Sequence, residues 1–124
     1  MRILGVDHNS VSRLVLRAMI TSLGHECLLA ADGMQAWKLL QRGGVRVVIT
    51  DRMMPDMDGL QLCRLIRSEL NTGYGYVILA SMLTEREQVR EGMLAGADDY
   101  LLKPLQRHEL DLRLIADQGA RQDE

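Results

Sequence analysis

The chain has 124 residues, of which 47% are hydrophobic and 26% charged, and its formal net charge is −2. This length suits a single domain, because two cores of half the size would bury too little apolar surface. The small net charge and the scattered Lys and Arg residues argue against direct binding of nucleic acid. The sequence has neither an apolar run long enough to span a bilayer nor a signal sequence. We therefore expect a cytoplasmic protein with no membrane partner.

The first third of the chain alternates between strand and helix patterns. A short apolar run, residues 2–6, ends at Asp7. Asn9 or Ser10 can cap the helix that follows, and its spacing predicts an apolar face of Val11, Leu14, Val15, Ala18 and Ser22. A second apolar run, residues 27–31, is followed by a helix that starts at Asp32. The glycine pair at residues 43–44 ends this helix.

The remaining elements follow the same alternation. Residues 45–50 form a β-branched, apolar strand closed by Asp51, and a turn-rich segment, residues 55–59, precedes the third helix. A fourth run, residues 76–80, ends at Ser81, and a capping box from Thr84 to Glu87 predicts the start of the fourth helix. The fifth run, residues 99–102, meets Lys103. An amphipathic helix with Leu110, Leu114 and Ile115 along its buried face then leads into a polar tail.

Strands that alternate with helices, roughly 20 to 25 residues apart, predict a parallel sheet with helices on both faces. We place the domain at residues 1–117 and the tail at 118–124. In such a sheet, functional residues collect beyond the carboxyl ends of the strands. Four of the five runs end in a chemically useful side chain, namely Asp7, Asp51, Ser81 and Lys103.

Two strings carry a family resemblance, DRMMPDMDG at residues 51–59 and GADDYLLKP at residues 96–104. With the four polar strand ends, they resemble the receiver domains of bacterial response regulators, of the chemotaxis-receiver type, over about residues 2 to 116. The resemblance implies a flavodoxin-like, doubly wound α/β fold. Its five parallel strands would run in the order 2-1-3-4-5, with five helices. It also implies a phosphorylation-dependent signalling switch rather than an enzyme.

The resemblance assigns roles to individual residues. Asp51 would accept the phosphoryl group, with Lys103 and Ser81 as its catalytic partners. Ser81 and Tyr100 would form the switch, and the peptide bond between Lys103 and Pro104 would be cis. A divalent cation, Mg²⁺ or Mn²⁺, would be held by Asp7, Asp51 and the backbone carbonyl of Met53.

His8 departs from the family pattern, because it occupies the place of the second acidic residue after the first strand. Imidazole suits Mn²⁺, Zn²⁺ or Ni²⁺ better than Mg²⁺, so we expect weaker Mg²⁺ binding. Either His8 is itself a metal ligand, or its side chain turns away and water takes the position.

Three functions are compatible with these patterns. The first is a switch that takes a phosphoryl group from a histidine kinase or a histidine phosphotransfer protein and responds through its helix 4, strand 5 and helix 5 face, as a homodimer or on a target. The second is a degenerate receiver that docks or dimerises without phosphorylation. The third, a small phosphatase, lacks a second acid beside Asp51. Either the chain acts alone or an output domain of the GGDEF, sensor or phosphatase type follows it.

Overall fold

The computed structural model describes residues 1–69, 75–83 and 85–122, with side chains described to residue 118. Within these ranges the strands are β1 (Arg2–Val6), β2 (Glu26–Ala30), β3 (Val47–Asp51), β4 (Tyr76–Ser81) and β5 (Asp99–Leu102). The helices are α1 (Ser10–Ser22), α2 (Gly33–Gln41), α3 (Gly59–Glu69), α4 (Arg86–Leu94) and α5 (Arg107–Gln122). No helix in the described ranges is long and apolar enough to cross a membrane.

All five strands are parallel and lie in the order β2-β1-β3-β4-β5, which confirms the predicted fold. The register aligns the carboxyl ends of the inner strands. Asp51 pairs with Ala80, and Ser81 pairs with Leu102. Polar residues at the ends of different strands are thereby brought to one edge of the sheet.

Each face of the sheet carries its own hydrophobic core. One core joins α1 and α5 to alternate strand residues and contains Ile3, Leu16, Ile20, Val47, Ile49, Ile78, Leu101, Leu110 and Leu114. The other joins α2, α3 and α4 to the opposite face, where Leu4, Val6, Val48, Val77 and Leu79 point. Because both faces are covered, the strands are apolar almost throughout rather than alternating.

The predicted buried face of α1 is wrong. Leu16 and Ile20, four residues apart, are the buried residues of this helix, whereas Val11, Leu14 and Val15 are exposed. The helix has apolar residues around more than half of its circumference, so its periodicity is compatible with either face. Ile115 of α5 is likewise exposed, although Leu110 and Leu114 are buried as predicted.

Some element ends also differ from the sequence prediction. The third strand begins two residues later than predicted, at Val47, and it includes Asp51. Thr84, the predicted start of the capping box, lies outside the described residues. The side chain of Gln88 accepts a hydrogen bond from the backbone N–H of Glu85, the N-cap of α4. Helix α5 continues to Gln122, past residue 117, and the domain boundary stays a prediction.

Candidate functional site

Two carboxylates and a lysine meet at the carboxyl edge of the sheet. The Lys103 ammonium lies 2.8 Å from Oδ2 of Asp7 and 3.4 Å from Oδ1 of Asp51. The side chains of Asp7 and Asp51 are only 6% and 13% exposed, so both charges are largely withdrawn from water. A single lysine shared by two buried carboxylates offsets the repulsion between them and leaves the site one negative charge in excess.

The end of β5 positions Lys103. Its backbone N–H donates to the carbonyl of Ser81 at 2.8 Å, which extends the pairing of β4 and β5 by one residue. The peptide bond between Lys103 and Pro104 is cis. The lysine therefore enters the site from the edge strand, 96 residues along the chain from Asp7.

Asp51 lies at the end of β3, where the chain turns sharply. Its Oδ1 accepts a hydrogen bond from the backbone N–H of Met53 at 3.2 Å. A Cβ on Gly59 would lie 2.5 Å from the Asp51 carbonyl oxygen, so only glycine allows α3 to begin this close to β3. Burial raises the pKa of Asp51, and the Lys103 ammonium opposes this rise.

The loop between β1 and α1 is held by α1 itself. Asp7 Oδ1 accepts from the backbone N–H of Asn9 at 2.9 Å, and Asn9 in turn caps α1 by accepting from Ser12. The guanidinium of Arg13 donates to the carbonyl oxygens of Asp7 and His8, at 2.8 and 3.1 Å. Sequence reasoning missed Arg13, although its place one turn into a helix that starts at the site was a usable signal.

The oxygen groups at this edge suit a divalent cation that keeps several waters. Asp7, Asp51 and the Met53 carbonyl are hard oxygen ligands of the kind that Mg²⁺ prefers, while His8 would offer a nitrogen. His8 is exposed, and both Asp7 oxygens already accept hydrogen bonds. Across the described ranges, no group of three or more His, Cys, Asp and Glu side chains is arranged to hold a metal. A cation here would therefore depend on two carboxylates and share Asp7 with Lys103.

Ser81 and Tyr100, the predicted switch residues, are joined through one backbone unit. The Ser81 hydroxyl accepts from the N–H of Leu83 at 2.9 Å, and the Tyr100 hydroxyl donates to the Leu83 carbonyl at 2.7 Å. Ser81 is buried and Tyr100 is half-buried against the core beneath α4. A displacement of the β4–α4 loop at Leu83 would therefore disturb the hydrogen bonds of both the Ser81 and the Tyr100 hydroxyl groups.

Arg52, the residue after Asp51, is a second feature that sequence reasoning missed. Its side chain is only 7% exposed and lies under α4, where it forms an ion pair with Glu91 at 2.7 Å. Its partners are distant in sequence, so no local pattern could have indicated them.

An apolar groove opens beside Asp51, with a volume of about 220 Å³. Asp7, Asp51 and Lys103 form its polar end. Its other walls come from α1 and from the start of the β5–α5 connection, and they include Val11, Val15, Met19, Pro104 and Leu105.

The fold and this edge of the sheet define a receiver domain. The family model for the response regulator receiver domain matches residues 3–115, and the chain belongs to this family. Response regulator MprA of Mycobacterium leprae (strain TN) is 42% identical over 119 residues, which are 94% of this chain and 50% of that protein. The chain thus spans about half the length of the curated relatives it matches.

Solved structures agree with this assignment. The chemotaxis protein CheY4 of Vibrio cholerae superposes with a TM-score of 0.86 at 27% identity, over 93% of this chain and 96% of that one. A probable two-component system response regulator/GGDEF domain protein gives a TM-score of 0.88 at 26% identity, over 97% of this chain and 50% of that one. The predicted membership of the response regulator receiver family of two-component systems is confirmed.

Proposed function

We propose that this receiver domain is a switch that accepts a phosphoryl group on Asp51 from the histidine of a kinase or phosphotransfer protein. A carboxylate oxygen of Asp51 forms the new bond to phosphorus as the phosphorus–nitrogen bond to the donor breaks, and the electron pair of that bond returns to the imidazole. The observation that carries this proposal is Lys103, whose ammonium bridges the two buried carboxylates. It is placed to pair with a phosphoryl oxygen as negative charge builds up at Asp51.

A divalent cation, when bound, would neutralise phosphoryl oxygens at this edge. The residues that would hold it are Asp7, Asp51 and the carbonyl of Met53, with His8 or a water in the place of a further carboxylate. Receiver domains generally bind Mg²⁺ at this acidic pocket. We propose that this chain binds Mg²⁺ weakly and accepts Mn²⁺, because imidazole tolerates Mn²⁺ better.

The donor is proposed to dock on α1 beside the apolar groove. Its histidine must reach Asp51, and the surface next to Asp51 on that side is apolar. Leu14 stands exposed next to the groove, whose wall includes the exposed Val11 and Val15. Exposed aliphatic side chains on a helix favour packing against another helix.

The response is proposed to leave the domain through the face formed by α4, β5 and α5. This face exposes several apolar side chains, namely Met93, Leu94, Leu102, Leu112 and Ile115. We propose that phosphorylation changes the position of α4 and so favours a homodimer or a target on this face. An output domain of the GGDEF type is supported by the likeness to the GGDEF protein, and the sensor and phosphatase types stay predictions.

Intact mass after incubation with acetyl phosphate tests the proposal, since acetate leaves as the phosphoryl group is transferred. The wild type, Asp51→Asn and the exposed control Asp56→Asn are each incubated with Mg²⁺, with Mn²⁺ and with EDTA. We expect one phosphoryl group on the wild type and on the control, with either metal and not with EDTA. No adduct under any condition would overturn the proposal in favour of a module that docks without phosphorylation, with His8 as the cause.

A further inference from the structure

Arg52 ties α4 to the strand that carries the acceptor. One of its terminal nitrogens, Nη2, pairs with Glu91 at 2.7 Å, and the other, Nη1, donates to the Gln88 carbonyl at 2.5 Å. Gln88 and Glu91 lie three residues apart on α4. Its backbone N–H donates to the carbonyl of Ala80 at 2.9 Å, so the residue is fixed to β4 as well. Arg52 therefore spans from the acceptor strand to the first two turns of α4.

The same guanidinium lies against Tyr100. Nη1 is 3.4 Å from the tyrosine hydroxyl, and the guanidinium carbon lies 6.0 Å from the ring centroid. A Cβ on Gly92 would lie 2.8 Å from the Tyr100 ring, so α4 packs directly onto the tyrosine. Arg52, Tyr100 and α4 thus form one packed unit, and movement of any one of them disturbs the other two.

This unit is linked by two routes to the edge of the sheet that carries Asp51. The first is covalent, since Arg52 follows Asp51 in the chain. The second runs from Ser81 through the backbone of Leu83 to the hydroxyl of Tyr100. If the Ser81 hydroxyl is drawn to a phosphoryl group, Leu83 moves with it and the Tyr100 hydroxyl must find a new partner.

We propose that Arg52 is a positioning residue that holds α4 and Tyr100 in the arrangement of the unphosphorylated domain; this inference rests on the proposed function. A buried guanidinium is costly to leave unpaired, so α4 can move only as its bonds to Arg52 are exchanged for others. Arg52 thereby sets the equilibrium between the two arrangements. Its removal raises the fraction of molecules already in the arrangement that phosphorylation favours, and with it the rate of phosphorylation.

The test compares Arg52→Met with Arg67→Met. Arg67 also makes three hydrogen bonds, to Gly96, Gly75 and Asp98, but it does so at the opposite edge of the sheet from Asp51. Each variant loses three side-chain hydrogen bonds, so Arg67→Met controls for a general loss of stability. We expect Arg52→Met to be phosphorylated by acetyl phosphate about fivefold faster than the wild type, the lower end of typical coupling energies. Arg67→Met should keep the wild-type rate, and a rate for folded Arg52→Met within twofold of wild type would overturn the proposal.

If Arg52→Met does not fold, Glu91→Gln tests the proposal instead, because it removes the charged partner of Arg52. Glu91 is half-exposed and its replacement keeps the shape of the side chain, so the fold should survive. We expect faster phosphorylation again, and faster amide exchange in α4 relative to α5, in Glu91→Gln but not in Arg67→Met. Unchanged rate and unchanged exchange would refute the role of Arg52. If the wild type takes no phosphoryl group at all, the proposed function fails. The comparison of amide exchange in α4 would still test whether Arg52 restrains this helix.

Discussion

At the scale of single residues, burial of Asp51 determines how this side chain affects stability. Its pKa is raised in the folded domain by burial. The carboxylate therefore costs stability above its folded pKa, and this cost disappears as the pH falls below the unfolded value of about 3.9.

We expect Asp51→Asn to be more stable than the wild type at pH 7, because the amide carries no charge to desolvate. The advantage should shrink as the pH is lowered toward about 4. Urea unfolding at pH 7, 5.5 and 4 measures it. The exposed Asp56→Asn is the control and should change stability by less than about 0.5 kcal/mol. A wild type more stable than Asp51→Asn at pH 7 would contradict this reading.

His8 is the residue where this chain departs from the oxygen chemistry of Mg²⁺. We expect His8→Asp to tighten Mg²⁺ binding by about tenfold or more, because it adds a charged oxygen ligand next to Asp7. His108→Asp, an exposed change on α5, should leave binding unaltered. Isothermal titration with Mg²⁺ and Mn²⁺ measures both. Equal Mg²⁺ affinity in wild type and His8→Asp would show that position 8 lies outside the ligand set.

At the scale of elements, α4 depends on the close approach that Gly92 allows. We expect Gly92→Ala to lose about 1 to 3 kcal/mol in urea unfolding, because its Cβ would meet Tyr100 and Leu79 at 2.8 and 2.9 Å. Gly75→Ala is the control, since a Cβ there meets nothing within 4 Å. An equal loss in both variants would show that the packing of α4 on Tyr100 does not matter to stability.

The elements also show what could be predicted from sequence. Strands covered on both faces leave uninterrupted apolar runs, and five such runs, each followed by a polar residue, were enough to predict the sheet and to bring Asp7, Asp51 and Lys103 together. The buried side of α1 could not be predicted, because the helix is apolar on two sides. Arg52 was missed for another reason, because its hydrogen bonds to Gln88 and Glu91 depend on the tertiary arrangement, which no local pattern reveals. Arg13 bonds the nearby carbonyls of Asp7 and His8 and could have been found from its place in the first turn of α1.

At the scale of the whole molecule, the parallel topology separates two surfaces. The apolar groove is walled by α1 and by the start of the β5–α5 connection, whereas α4 packs on the opposite face of the sheet and β5 is an edge strand. A donor on α1 and the groove therefore leaves α4 uncovered. This separation supports a domain that receives a signal on one side and passes it on from the other.

We expect the phosphorylated chain to dimerise through the α4, β5 and α5 face, where Leu112 is exposed. Leu112→Gln should weaken the dimer about fivefold, as loss of an apolar interface contact of about 1 kcal/mol does. Leu14→Gln, an equivalent change on α1, should leave it unaltered. Sedimentation velocity with and without acetyl phosphate measures both. A monomer in both states would argue for a target in place of a second copy.

The central claim is that Asp51 itself carries the phosphoryl group. Borohydride reduces an acyl phosphate to the alcohol, so a phosphorylated aspartate is recovered as homoserine and can be located by peptide mass spectrometry. After treatment with acetyl phosphate and Mn²⁺, we predict homoserine at position 51 and at no other aspartate. Homoserine at Asp7, Asp56 or Asp58, or at no position, would contradict the account.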